Sequence, residues 1–221
     1  MLAIVGNHTN ISAIAGESNA FYRSRAWRAK AFAAWDAALS GMGKQRWAEK
    51  SPKHVKRIAA ILEWFPESQI VLMLRDGRDV ACSIRERCGD LRVGIDRWIQ
   101  DNLAARQFWR HPQVRIVRYE DLVRKTETTL ATLLEFLAEP YEPGLVELGG
   151  KNRRWYSDNI TRPASPFGAA LKQYRNWQIN QPLFDGTKRW CREMSKYDKV
   201  EFKRLAGDLL FTLGYSTTTN W

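Results

Sequence analysis

The chain has 221 residues, of which 44% are hydrophobic and 27% charged, a composition typical of a globular protein. Its net charge of +11 favours anionic ligands but does not choose among nucleotides, sulfated polymers, anionic lipids and nucleic acid. The three cysteines lack C-x-x-C spacing, which argues against a disulfide scaffold and a zinc site. No apolar stretch approaches the roughly 20 residues that span a bilayer, and the first ten residues do not form a signal peptide.

Helices and short apolar strands alternate along the chain. The apolar runs at 69–74 and 114–122 predict strands, the first of them covered on both faces. The segment 140–185 is rich in Pro, Gly, Asn and Arg and is predicted to be irregular. Amphipathic patterns predict helices over 23–39, 52–65, 79–87, 94–109, 126–137 and 199–215. This order predicts one α/β domain over 1–221 with a parallel sheet.

The stretch LRDGRDVACS joins the first predicted strand to the helix that follows it. Arg75 ends the strand, Asp79 is a plausible N-cap, and Ser83 lies in the first turns of the helix. Open parallel sheets bind ligands at the carboxyl ends of strands, where a helix N-terminus offers backbone N–H groups. A guanidinium and a hydroxyl placed there predict a phosphate site, and the alternative is an ordinary surface turn. Three side chains are expected to shape the turn and to pair with one another: Asp76, Arg78 and Asp79.

The segment PESQIVLMLRDGRDVACS resembles the 3′-phosphate-binding segment of the sulfotransferases that use 3′-phosphoadenosine 5′-phosphosulfate (PAPS). In that family an Arg at the strand end and a Ser eight residues later hold the 3′-phosphate, which implies these roles for Arg75 and Ser83. The resemblance implies a P-loop NTPase-like three-layer α/β sandwich around a central parallel sheet. Four more stretches resemble the family in the same order: IAGESNAFYR, WAEKSPKH, VRYEDLVRKTETTLATLLEFL and ALKQYRNWQ.

The resemblance also implies catalytic residues. Glu17 in IAGESNAFYR matches a catalytic base, and Lys50 in WAEKSPKH matches a Lys that approaches the transferring sulfuryl group. His54 is a reserve candidate for the base, because the cytosolic branch uses a His beside an equivalent Lys. From the residues alone, Glu17 also fits a solvated or helix-capping side chain, Lys50 a solvated cation in a basic run, and His54 a structural residue.

Further residues are implied to contact the cofactor. Tyr119 in the Y-E-D-L stretch is expected near the adenine, although a Tyr that ends a strand is often part of a core. Arg175 and Trp177, and more loosely Lys172, match a late basic-plus-Trp loop that closes over the cofactor. Trp177 could instead be a packing residue. No metal is implied, because the sequence has no H-E-x-x-H motif and no clustered Cys and His.

The start of the chain departs from the family pattern. The family opens with a strand and a Gly-rich loop that wraps the 5′-phosphosulfate with backbone N–H groups. We find no such loop in residues 1–221, and Met1 resembles an interior position of the family fold. The sequence therefore predicts a fragment, a miscalled start or a truncated product, whose sheet lacks its first strand and whose activity is weak or absent.

The leading hypothesis is sulfuryl transfer from PAPS to a hydroxyl or amine, leaving adenosine 3′,5′-bisphosphate (PAP). The acceptor stays open among a small alcohol, a glycan, a lipid headgroup and a peptide. The alternative is a non-catalytic relative that binds a nucleotide or polyanion. Nucleic-acid binding is disfavoured because the basic residues are dispersed and no nucleic-acid module is present. The cytoplasm is the expected compartment, with the Golgi lumen as the alternative if an N-terminal segment is missing.

Overall fold

The computed structural model describes residues 52–146, 160–164 and 170–218, and single positions before residue 51. The chain divides into two compact units, of which the first comprises residues 2–51 and the second residues 52–221 with Met1. In the first unit Ala33 and Ala37 are helical, as the predicted helix 23–39 requires. The other residues of that predicted helix lie outside the described positions. Ser40 and Gly41 are also helical, so the predicted end of that helix was placed too early.

The described elements of the second unit begin with a 3-10 helix, Pro52–Arg57, which continues as an α-helix. Together these two elements cover residues 52–64 of the helix predicted over 52–65. The following elements, in chain order, are α1 (Ile58–Trp64), β1 (Ile70–Leu74), α2 (Gly77–Cys88), α3 (Leu91–Arg106), β2 (Val114–Arg118), α4 (Tyr119–Arg124), α5 (Thr126–Leu137), α6 (Leu171–Ile179), α7 (Trp190–Glu193) and α8 (Lys196–Thr212).

The two strands pair in parallel, in a register that runs from Ile70 opposite Val114 to Leu74 opposite Arg118. Both strands therefore end at the same edge of the sheet, and the helices α2 and α3 connect them. β1 is buried at every position except Met73, which is 37% exposed. The predicted α/β class with a parallel sheet is confirmed, because a parallel pair requires such a crossover.

The core forms where α2, α3 and α8 meet. A Cβ on Gly94 would lie 2.7 Å from the Cα of Ala81, so this glycine allows α3 to approach the backbone of α2 closely. Trp98 packs on Phe202 of α8 with ring centroids 5.9 Å apart. The Trp98 indole also donates to the carbonyl of Arg75 at 3.0 Å, which fixes the end of β1 against α3.

Two predicted boundaries are wrong at the ends of the strands. α2 begins at Gly77, and its N-cap is Asp76, whose carboxylate accepts the backbone N–H of Arg78 at 2.9 Å. Asp79, predicted as the N-cap, lies inside the first turn instead. The strand predicted over 114–122 ends at Arg118, and the Y-E-D-L residues begin α4, where acidic side chains in the first turn favour a helix.

The segment predicted to be irregular contains the helix α6, and this prediction was wrong for residues 171–179. The final helix ends near its predicted position, and Gly214 follows it with φ of 72° in the left-handed region. In the part of the chain that the structure describes, no helix is both long and apolar enough to cross a membrane.

Candidate functional site

Arg75 occupies the carboxyl edge of the parallel sheet, directly after β1. Its guanidinium carbon lies 4.2 Å from the ring centroid of Tyr119, the first residue after β2. Its Nη2 donates to the carbonyl of Gly186 at 2.6 Å. Its Nε is buried and has no hydrogen-bond partner among the described residues. An aromatic ring and a distant backbone carbonyl thus hold this cation at the edge where parallel sheets bind ligands.

Residues 184–190, which we call the strap, contact this edge. The Tyr119 hydroxyl donates to the carbonyl of Phe184 at 2.8 Å and accepts the N–H of Gly186 at 3.2 Å. A Cβ on Gly186 would lie 3.0 Å from the Arg75 Nη2, so the glycine permits the close approach. Arg124 of α4 donates to the Thr187 hydroxyl at 2.5 Å. Arg75 and Tyr119, which directly follow β1 and β2, therefore bind the same part of the strap.

Asp79 binds the other end of the strap. Its carboxylate oxygens accept the backbone N–H of Lys188 at 2.9 Å and of Trp190 at 3.1 Å, and the residue is fully buried. Burial raises the pKa of Asp79 above its ordinary value, although the bond from Trp190 acts in the opposite direction. Lys188 has φ of 59° and an exposed side chain. The carboxylate thus holds a backbone turn that residues with a Cβ rarely adopt.

A buried ion pair shapes the turn between β1 and α2. The Nη2 of Arg78 donates to the Asp76 carboxylate at 2.7 Å and to the carbonyl of Tyr215 at 2.8 Å. The backbone N–H of Asp76 and the hydroxyl of Tyr215 each donate to Glu120 at 3.0 Å. Burial raises the pKa of Tyr215, and the Glu120 carboxylate adds to the effect. The predicted pairing of Asp76 with Arg78 is confirmed, whereas Asp79 bonds to the strap backbone instead.

A sequence model of the sulfotransferase family matches residues 7–143, more than half of the chain. The chain belongs to the sulfotransferase family. Its fold is similar to the solved sulfotransferase domain from the curacin biosynthetic pathway, with a TM-score of 0.56 and 20% sequence identity. That likeness covers 95% of this chain and 80% of the other. No curated protein matches this chain significantly.

The structure places the predicted cofactor residues of this sulfotransferase at several positions. Tyr119 lies beside Arg75 at the sheet edge, as described above. Ser83 is partly buried on α2, and its carbonyl accepts a bond from the Nε of Arg87 at 3.3 Å. Trp177 packs on α6, with its ring centroid 5.6 Å from that of Tyr174. The cofactor roles of Ser83 and Trp177 stay predictions.

The predicted late loop at 170–178 was wrong as to its structure, because these residues form the helix α6. Lys172 and Arg175 belong to this helix, and their side chains lie outside the described ones. The segment that contacts Arg75 is the strap, whose sequence FDGTKRW also combines a glycine, basic residues and a Trp. The cofactor roles of Lys172 and Arg175 stay predictions.

The predicted catalytic residues of this family member are less fully described. His54 is partly buried on the 3-10 helix, and Lys50 is exposed and belongs to the first unit. Glu17 lies outside the described residues. Among the residues with described positions, no group of three or more His, Cys, Asp or Glu could hold a metal ion. The carboxylates of Asp76, Asp79 and Glu120 at this edge are bound by protein N–H and O–H donors, and Arg75 is the cation that suits an anionic ligand.

Proposed function

We propose that this chain transfers a sulfuryl group from PAPS to a hydroxyl or amine, and that Arg75 binds the 3′-phosphate of the nucleotide. The observation that carries the proposal is the placement of Arg75. In a chain of the sulfotransferase family, this arginine ends a parallel strand, lies on the ring of Tyr119 and contacts the strap. Ligands of open parallel sheets bind at such strand ends.

The chemistry of Arg75 supports a phosphate ligand. A guanidinium carries five N–H donors in a plane, and the bond to Gly186 uses one of them. The Nε is buried, so the guanidinium of the partly buried Arg75 would bind a phosphate oxygen through its terminal N–H groups. The exposed Lys188 of the strap adds its positive charge to that of Arg75.

The transfer itself depends mainly on positioning and on electrostatic stabilisation. We propose Glu17 as the base that removes the acceptor proton, with His54 as the reserve candidate. In the transfer, the bond from sulfur to the 5′-phosphate oxygen breaks, and a bond from sulfur to the acceptor oxygen or nitrogen forms. Lys50 would stabilise the bridging oxygen during this step. PAP then leaves. We propose an acceptor from the classes named above: a small alcohol, a glycan, a lipid headgroup or a peptide.

Calorimetry with PAP tests the phosphate site. We expect the wild type to bind PAP and Arg75→Ala to bind it about 100-fold more weakly, because the variant loses a charged, forked donor. Adenosine 5′-phosphate lacks the 3′-phosphate, so its affinity should change little in the same variant. Arg97→Ala is a matched control that removes a half-exposed arginine of α3 paired with Asp101. Equal PAP affinity in the wild type and Arg75→Ala would remove Arg75 from the site.

A second candidate function is binding of a nucleotide or polyanion without turnover, which the net charge of +11 favours. A salt titration separates polyanion binding from a shaped nucleotide pocket. Heparin affinity should fall steeply with salt through counterion effects, whereas PAP affinity should fall less. Formation of PAP from PAPS only in the presence of an acceptor would establish turnover. Binding without product for any acceptor class would favour the second candidate.

A further inference from the structure

Asp79 is a buried carboxylate without a role in the proposed chemistry. It lies in the first turn of α2 with 0% exposure, and both of its oxygens accept backbone N–H groups from the strap. The two donors, Lys188 and Trp190, are 109 and 111 positions later in the chain. Burying a carboxylate is costly unless its hydrogen bonds are made. The fold therefore keeps this charge in its core together with these two bonds.

The position of these bonds on the strap is informative. Arg75 and Tyr119 bind the strap at Phe184 and Gly186, and Asp79 binds it two residues further on, at Lys188. Lys188 is in the left-handed region at φ of 59°, which is unfavourable for a residue with a Cβ. The bond from its N–H to Asp79 holds it in that conformation. Loss of this bond would let Lys188 relax and would move the neighbouring Gly186.

We propose that Asp79 is a positioning residue for the nucleotide site. Its carboxylate fixes the strap so that the carbonyl of Gly186 keeps its place beside Arg75, and PAP affinity depends on that order. Asp79 acts through the strap and does not touch the nucleotide, because it is fully buried. The proposal rests on the proposed function, since it concerns the affinity of the same site.

The test compares two carboxylates that both accept backbone N–H groups. Asp198 accepts the N–H of Ser195 at 2.8 Å in the capping box of α8 and pairs with Arg85 at 3.0 Å. None of these contacts involves the strap. Asp198→Asn should lower the melting temperature at neutral pH and leave PAP affinity unchanged. This variant controls for a loss of stability that has no connection with the strap.

Asp79→Asn should weaken PAP binding by about tenfold, which corresponds to about 1.4 kcal/mol. The amide keeps one acceptor oxygen and presents an NH₂ group to the other strap N–H, so one hydrogen bond is lost. Hydrogen exchange provides the direct measurement. The amides of Lys188 and Trp190 should exchange faster in Asp79→Asn, whereas amides in the middle of α5 should exchange as in the wild type.

The outcomes distinguish the inference from the proposed function. If the wild type binds PAP and Asp79→Asn binds it equally well with unchanged strap exchange, the positioning role is overturned. If the wild type does not bind PAP at all, the proposed function fails first and the inference fails with it. If Asp79→Asn does not fold, hydrogen exchange of the wild type with and without PAP tests the proposal. PAP should then slow exchange at Lys188 and Trp190 but not in α5, and unchanged exchange at these two amides would overturn the proposal.

Discussion

The turn after β1 and the strap that contacts it are held in different ways. Within the turn, Asp76 caps α2 and pairs with Arg78, a partner only two residues away in the chain. The strap is held by bonds to Tyr119, Arg75 and Asp79, which lie 65 to 111 positions away. The turn thus combines a pair of near neighbours in sequence with bonds from Asp76 to Glu120 and from Arg78 to Tyr215, and it is buried in the core. The strap is partly exposed, and its bonds to the sheet edge and to α2 all come from distant residues.

This difference suggests a division of roles at the proposed site. The turn packs against the interior, since Asp76 and Arg78 are 7% and 5% exposed. The strap exposes Phe184 and Lys188. Changes in the turn should therefore act mainly on the free energy of unfolding. Changes at the exposed strap residues should act mainly on nucleotide binding, whereas Trp190 at the end of the strap packs against the core.

The largest expected effect is at Arg78. Arg78→Ala leaves the buried Asp76 carboxylate without its cation, and such losses destabilise a fold by about 3–5 kcal/mol. Urea denaturation of the variant and the wild type measures the change. Arg97→Ala is the control, because its half-exposed pair with Asp101 should be worth less than about 1 kcal/mol. A stability of Arg78→Ala equal to that of Arg97→Ala would contradict the proposed division.

A pair of glycine substitutions compares the two regions directly. A Cβ on Gly77, the first residue of α2 directly after the turn, would lie 2.5 Å from the ring of Trp98, which is a 4% exposed core residue. Gly77→Ala should lower the free energy of unfolding by about 1–3 kcal/mol, because a packed core accommodates extra volume poorly. Urea denaturation measures this change. An unchanged free energy of unfolding in Gly77→Ala would show that this region accommodates the extra methyl group without cost.

In the strap, a Cβ on Gly186 would lie 3.0 Å from the Arg75 Nη2 and 3.2 Å from the Tyr119 hydroxyl. These neighbours are the ends of flexible side chains, so Gly186→Ala should cost less than about 1 kcal/mol of stability. It should weaken PAP binding by about tenfold, because it displaces the strap from Arg75. Calorimetry and urea denaturation of both alanine variants check the comparison. The reverse pattern of effects would show that the strap, and not the turn, is part of the folding core.

The same difference determines what the sequence could predict. The apolar run of β1 and the amphipathic pattern of α5 depend on neighbouring residues, and both elements were predicted to within one residue. Asp76 and Asp79 both fit an N-cap by residue type. In the folded chain Asp76 caps α2, and Asp79 accepts N–H groups from strap residues more than 100 positions later. The Y-E-D-L residues combine an apolar strand end with a helical acidic turn, and the pattern could not fix the boundary.

The candidate site shows the same limit. The position of Arg75 at a strand end followed from local pattern and from the family resemblance. Its contact with the strap did not, since 170–178 and 184–190 both contain basic residues and a Trp. Only the packing of the folded chain shows that Gly186 contacts Arg75. The role of Asp79 was missed for the same reason, because its partners are distant backbone N–H groups that no side-chain motif marks.

The smallest expected effect concerns the cysteines. Cys82 lies in α2 beyond the turn, and its burial raises the pKa of its thiol to about 11, with Glu193 adding to the effect. Cys191 follows the strap and is exposed, as is Cys88. At pH 8 a disulfide reagent should modify Cys88 and Cys191 in the folded protein and Cys82 only in denaturant, because the thiolate is the reactive form. Mass spectrometry of Cys88→Ser identifies the remaining reactive site. Modification of Cys82 as fast as Cys191 would mean that the helix behind the turn opens as readily as the strap, and the comparison between the two regions would fail.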